Sequence, residues 1–139
     1  MGFLEGKTAI ITGGGFAALK NGEPGSIGYG IATAYAKEGA NLVITGRNVK
    51  KLEAAKERLE GEFGIRVLPI QADVNAQADN QAVVQAAVDQ VMAEFGRIDA
   101  LVNNAQASAS GVPLAEHTTE QFDLALYSGL YAAFYYMKA

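Results

Sequence analysis

Two hydrophobic rhythms alternate along the chain. Short apolar runs without polar alternation occupy residues 7–12, 41–45, 66–70 and 98–102. Runs of that length and β-branched character predict strands buried on both faces. Pro69 weakens the third, because proline cannot donate to a strand ladder. Between the runs lie stripes at helical spacing. Ile27, Ile31, Ala34 and Tyr35 form one, Val49, Leu52, Ala55 and Leu59 a second, and Val84, Val88, Val91 and Phe95 the clearest. Gly39, Gly64 and Gly96 follow these stripes as natural helix stops. A last helix is predicted from Thr118-Thr119-Glu120, whose hydroxyls suit capping, and carries Phe122, Leu126, Leu130, Phe134 and Met137 on one side. The order β-α-β-α-β-α-β-α predicts an α/β fold, a doubly wound parallel sheet covered by helices on both faces, with right-handed crossovers.

Composition narrows the class. The chain has 139 residues, half of them hydrophobic, which suits one domain with a real core. A net charge of −4 gives no reason to expect nucleic acid or an anionic membrane as partner. The absence of cysteine excludes disulfides and thiolate-bound zinc and fits a reducing compartment. The start of the chain lacks the pattern of a signal peptide, and no apolar run approaches a membrane span. The cytoplasm is the expected location. His117 is the only histidine, so no metal site is expected around it.

The first strand ends in Thr12-Gly13-Gly14-Gly15, and glycines return at Gly25-Ser26-Ile27-Gly28 and Gly30 as the first helix starts. A strand leading through glycines into a helix suits a pyrophosphate. The first amides of the helix point outward, the helix dipole adds positive potential, and glycine lets the backbone approach. A long surface loop with turn glycines is the plainer alternative. Residues 2–8 mimic a phosphate-binding loop but are one residue short and precede the strand, which excludes them. Asp73 follows the third strand, in Gln71-Ala72-Asp73-Val74, and Asn103-Asn104-Ala105 follows the fourth. Singly, each is a common turn former. Together they place polar groups in a row at strand ends, where open parallel sheets bind ligands.

These motifs, TGGG…GSIGYGIA, then ADV, then FGRIDALVNNA, then FDLALYSGLYAAFYYMKA, resemble the short-chain dehydrogenase/reductase family along essentially the whole chain. The resemblance implies a Rossmann-like dinucleotide-binding domain over residues 1–139, with about four strands and four helices of the full fold. It places Thr12, Gly13, Gly14, Ile27 and Gly28 on the cofactor loop, with Ser26 where a glycine usually stands. It implies that Asp73 accepts from the adenine amino group, that Val74 lies beside it, and that Asn103 and Ala105 line the adenosine ribose. Twelve residues separate Gly13 from Ser26, where the family has three, so about nine, roughly 17–25, form an insertion. Lengthening such a loop costs only about 1 kcal/mol in closure entropy. Lys20, within it, is expected at a solvated tip.

Cofactor choice turns on the end of the second strand. An acid there would hold a ribose 2′-hydroxyl. Thr45-Gly46-Arg47-Asn48 offers Arg47 instead, which can fork onto a 2′-phosphate. NADP(H) is therefore expected over NAD(H), with a surface arginine as the alternative.

The family's proton donor is a tyrosine with a lysine four residues later. None of the six tyrosines, Tyr29, Tyr35, Tyr127, Tyr131, Tyr135 and Tyr136, has that lysine. The expectation is the N-terminal part of a longer enzyme, truncated before its catalytic segment and inactive alone. Two further departures stand out. Gln106 replaces the glycine of the family's Asn-Asn-Ala-Gly, and Gly129 falls where a water-holding asparagine usually lies. Ser128 is the candidate substitute water holder. Tyr127, Tyr131 and Tyr135 recur every fourth residue, as packing or a subunit contact, and a homo-oligomer through the last helix is expected. The function implied is NADP(H)-linked hydride transfer to or from a carbonyl or secondary alcohol of a small molecule. The alternatives are a catalytically silent dinucleotide-binding module and an enoyl reductase of the same fold.

Overall fold

The computed structural model describes residues 2–139. Strand β1 (Thr8–Thr12) is central, with β2 (Asn41–Gly46) on one side and β4 (Ala100–Val102) on the other. Strand β3 (Val67–Gln71) lies outside β2, giving the order β3-β2-β1-β4 with every pairing parallel. Thr12 lies opposite Thr45, and Ile11 opposite Val102. The chain thus builds outward from β1 to β3 and then crosses back to β4. That reversal leaves a crevice beyond the C-terminal ends of β1 and β4.

Successive strand residues feed opposite layers, which is why the runs show no polar alternation. Ile11 and Ile44 pack with Ala32 of α1 (Ile27–Lys37) and with Leu52, Ala55 and Leu59 of α2 (Val49–Phe63). Ile10 and Val43 face the other way, against Val84, Val88 and Val91 of α3 (Asn80–Phe95) and Tyr136. Gly64 and Gly96 stop α2 and α3 in the left-handed region, at φ 66° and 69°. Their amides donate to Glu60 O and Met92 O, both at 2.9 Å, closing the last turns.

The fourth strand is shorter than its apolar run. At its entrance the Asp99 carboxylate, rather than a backbone carbonyl, accepts from the Thr8 amide at 2.9 Å. The Asp99 amide in turn donates to Thr8 O at 2.8 Å.

The last helix has a feature the periodicity did not reveal. Helix α4 (Thr119–Leu126) begins at a capping box between Thr118 and Gln121. It then passes through a π turn (Tyr127–Tyr131) into α5 (Ala132–Lys138). Asn80, 1% exposed at the start of α3, donates its amide to Tyr127 O of that turn at 3.0 Å. Ser128, Ala132 and Tyr136 face inward. Phe122, Leu130, Phe134 and Met137 face out, Leu130 being 61% exposed. The rings of Tyr127, Tyr131 and Tyr135 follow one another at 5.3 and 6.3 Å. Among the described residues no helix is long and apolar enough to cross a membrane.

Asp99 gives the fold a pH signature. The Arg97 side chain donates to both its oxygens, at 2.7 and 2.6 Å, and with the Thr8 amide holds its carboxyl down at about 2. A depressed folded value means stabilisation that is present above the ordinary carboxylate range and lost as pH falls through it towards 2. Melting temperature measured from pH 5 to pH 2 should therefore fall less steeply for Asp99→Asn than for the parent. Parallel curves would remove Asp99 from that role.

Candidate dinucleotide site

One knot of hydrogen bonds holds the crevice together. Thr12, 1% exposed at the end of β1, accepts the amides of Asn104 and Ala105 on its hydroxyl oxygen, at 3.0 and 2.9 Å. The same hydroxyl donates to Val102 O at 3.4 Å. Asn104 answers by donating its amide Nδ2 to Thr12 O at 3.0 Å and Gly13 O at 3.3 Å. A threonine and an asparagine thus tie the ends of β1 and β4, and satisfy backbone groups where the ladder stops.

The interrupted glycine loop closes on this knot. Gly13 turns at φ 71°, and its amide and that of Gly14 both donate to Thr45 O, at 2.8 and 3.1 Å. A Cβ at Gly14 would lie 2.7 Å from Ile44 Cγ2, so only glycine lets the loop cross β2 this closely. The chain then leaves to form a small hairpin. Ala18 bridges Pro24, and the Gly25 amide donates to Ala17 O at 2.8 Å, sealing the base. Lys20 lies exposed near the tip. The Ser26 hydroxyl donates to Gly15 O at 2.8 Å, which brings the two halves of the loop back together. Gly28 then packs directly on Gly13, where a Cβ would fall 2.0 Å from Gly13 O. The residues on either side of the insertion are therefore neighbours in space. Because Ser26 bonds to the loop, no side chain caps α1, and the amides of its first turn keep their outward potential.

Two cavities open on the crevice. The first, about 280 Å³, is bordered by Gly13, Arg47, Asp73, Val74 and Ala105, among others. The second, about 400 Å³, reaches from Thr12, Val74 and Asn103 to Ser128, Gly129 and Tyr136. Arg47 is exposed, its guanidinium has no ion-pair partner among the described residues, and its carbonyl accepts from Gln71 Nε2 at 3.1 Å. Asp73 accepts the Asn75 amide at 2.9 Å on Oδ1, as a turn-forming Asx residue does, while its side chain borders the cavity. Asn103 borders the second cavity rather than the first. Burial pushes the pKa of the Tyr136 phenol up, so the hydroxyl beside the second cavity stays protonated well above neutral pH.

Ser128 is fully committed to the backbone. It is buried, accepts the Ala107 amide at 2.9 Å, and lies 3.0 and 2.6 Å from Ala107 O and Leu124 O for its one proton. That geometry makes it a clasp between the loop after β4 and the π turn, with little capacity left to hold a water. The sequence also undervalued Asn104, whose amide carries the knot.

Comparison with known proteins agrees with this geometry. The sequence profile described as "Enoyl-(Acyl carrier protein) reductase" matches residues 22–139. Over 138 residues the chain is 61% identical to a 12alpha-hydroxysteroid dehydrogenase from Clostridium sp., covering 99% of this chain and 51% of that protein. The chain belongs to the short-chain dehydrogenase/reductase family. Among solved members of the family, L-sorbose reductase from Gluconobacter frateurii, complexed with NADPH and L-sorbose, superimposes with a TM-score of 0.84 at 33% identity. That match covers 99% of this chain and 47% of the reductase. An NAD+-bound xylitol dehydrogenase superimposes at 0.83 with 28% identity, over 99% of this chain and 52% of that one. The chain thus spans about half the length of these short-chain dehydrogenase/reductase relatives.

Thr12→Val tests the knot. The change keeps the shape but leaves the half-buried Ala105 amide without an acceptor and the Asn104 amide with Val102 O alone at 3.0 Å, a loss of about 1–3 kcal/mol. Denaturant unfolding should register it. A variant as stable as the parent would show that water replaces the hydroxyl at no cost.

Proposed function

We propose that this chain is the dinucleotide-binding part of an NADP(H)-dependent oxidoreductase that moves hydride to or from a carbonyl or secondary alcohol. The observation that carries the reading is one cavity bordered by Gly13, Arg47, Asp73, Val74 and Ala105, with the uncapped start of α1 packed on Gly13. A Gly13–Gly28 contact too close for any side chain sets that helix start against the end of β1, which suits a diphosphate. Asp73 offers a carboxylate acceptor to an adenine amino group. Arg47 offers an unneutralised guanidinium to a ribose 2′-phosphate. Gly14 and Ile27, which border neither cavity, are proposed to flank the diphosphate position, while Asn103 borders the second cavity and Ala105 both.

The bound cofactor would supply the hydride. The residues of this chain bind and orient it, fixing the adenosine end so that the other end projects into the cavity beside Gly129 and Tyr136. The proton donor of the reaction is proposed to lie outside these 139 residues, as no Tyr-x3-Lys pair occurs among them.

The 61% identity to a hydroxysteroid dehydrogenase favours a secondary alcohol on a rigid ring system as the substrate. A second reading, an enoyl reductase, is favoured by the description of the matching sequence profile. Turnover assays on a longer protein that joins this sequence to the proposed proton donor separate the two: oxidation of a hydroxysteroid supports the first, and reduction of an enoyl thioester alone supports the second. A protein that binds NADPH and turns over neither class would support a silent binding module.

The exposed row Phe122, Leu130, Phe134 and Met137 is the face we propose for a homo-oligomer. Sedimentation of Phe134→Glu should give a smaller particle than the parent. An unchanged particle would place the contact elsewhere.

Arg47 should decide between the two cofactors. Removing a charge-assisted bond worth about 1.5–3 kcal/mol weakens binding by roughly 10–100-fold. In Arg47→Ala, NADPH affinity should fall by that factor while NADH affinity stays within twofold or so. Equal losses for both, or tighter NADH binding by the parent, would take Arg47 out of that role.

A further inference from the structure

The two cavities share Val74, Asn104, Ala105 and Gln106. A dinucleotide lying in both must cross these residues. Val74 and Ala105 have no polar side-chain atom, and the Asn104 amide is given to Thr12 O and Gly13 O. Gln106 differs. Its carboxamide makes no hydrogen bond among the described residues, so two N–H donors and an acceptor oxygen stand free.

Its side chain is exposed, but the backbone that carries it is well fixed. On one side, the Ala105 amide is held by the Thr12 hydroxyl at 2.9 Å. On the other, the Ala107 amide is held by Ser128 at 2.9 Å. The stem of Gln106 lies on Gly129, where a Cβ would come within 3.3 Å of Gln106 Cγ. Glycine is a poor residue inside a helix and calls for a reason at this position. Here the bare backbone of the π turn leaves room for the glutamine stem. A polar group held on a seat before its ligand arrives loses little freedom on binding.

Resting on the dinucleotide reading above, we propose that Gln106 is a binding residue for the nicotinamide half of the cofactor, and that Gly129 is the seat that aims it. The carboxamide meets the cofactor where it passes from one cavity to the other. The two departures from the family's usual residues are then one coupled feature.

The test is a binding titration of the protein carrying this sequence, with NADPH and separately with adenosine 2′,5′-bisphosphate, which fills only the adenosine cavity. Gln106→Ala should weaken NADPH about tenfold, the worth of one good hydrogen bond to a ligand, and leave the bisphosphate unchanged. Gly129→Leu, which fills the seat, should weaken NADPH by a similar factor. The double variant should be no weaker than either single one, because both remove the same contact. Equal losses for both ligands, no loss in Gln106→Ala, or additive losses in the double variant would overturn the proposal. If Gly129→Leu fails to fold, the Gln106→Ala comparison decides alone. Bisphosphate binding without NADPH binding in the parent would overturn the proposal while keeping the adenosine site. Binding of neither ligand by the parent would mean the dinucleotide reading itself fails, and the Gln106 claim with it.

Discussion

The structure depends on the exchange of hydrogen bonds between Thr12 and Asn104. Strands β1 and β4 are neighbours in the sheet but far apart in the chain, so nothing local holds their ends together. The Thr12 hydroxyl takes two amides from the loop after β4, and the Asn104 amide takes two carbonyls from the end of β1. The Ala105 amide and the carbonyls of Thr12 and Gly13 are thereby satisfied, and the Asn104 amide gains a second acceptor beside Val102 O. With the ends fixed, Gly13 can turn, and Gly28 at the start of α1 can dock against it and the Asn104 amide. The knot adds to the hold that Thr45 O on β2 already has on the amides of Gly13 and Gly14.

The nine-residue insertion is accommodated because it closes on itself. The hairpin is closed at its base by its own backbone, at Ala17 and Gly25, and once more by Ser26 on Gly15. An insertion closed in this way adds length without moving the residues that flank it. Phe16, just before it, is held between the Tyr29 ring at 5.1 Å and the Arg58 guanidinium at 4.1 Å, with its amide on Lys51 O. The loop is thus bound to β2, α1 and α2 before it departs. On the far side of the crevice, Ser128 and Asn80 perform the matching task, binding the π turn to the loop after β4 and to the start of α3.

Much of the fold was legible in the sequence because it follows from local pattern. The unbroken apolar runs at Ile10-Ile11 and Val43-Ile44 feed two layers, and only a doubly covered strand needs that. Gly64 and Gly96 announced helix ends because both adopt the left-handed conformation that glycine reaches more easily than any other residue. The site was legible as a row of strand-end residues, and the structure brings Gly13, Arg47, Asp73, Val74 and Ala105 to one cavity. What stayed hidden depends on contacts between distant segments. The π turn arises where Asn80 and Ser128 reach across to the last helix, and no helical periodicity encodes that. Ser128 suggested a water holder by its place beside Gly129, yet its hydroxyl is enclosed by Ala107 and Leu124. Gln106 and Gly129 read as two unrelated departures, because only the fold sets one on the other.

The central claim is that the amides opening α1 receive a dinucleotide's diphosphate. Amide-resolved hydrogen exchange with and without NADPH tests it most directly. The account predicts new protection at Ile27, Gly28 and Tyr29, together with Val74, and little change across the hairpin tip at residues 20–22. Unchanged exchange at the start of α1, with protection gathered elsewhere, would contradict it.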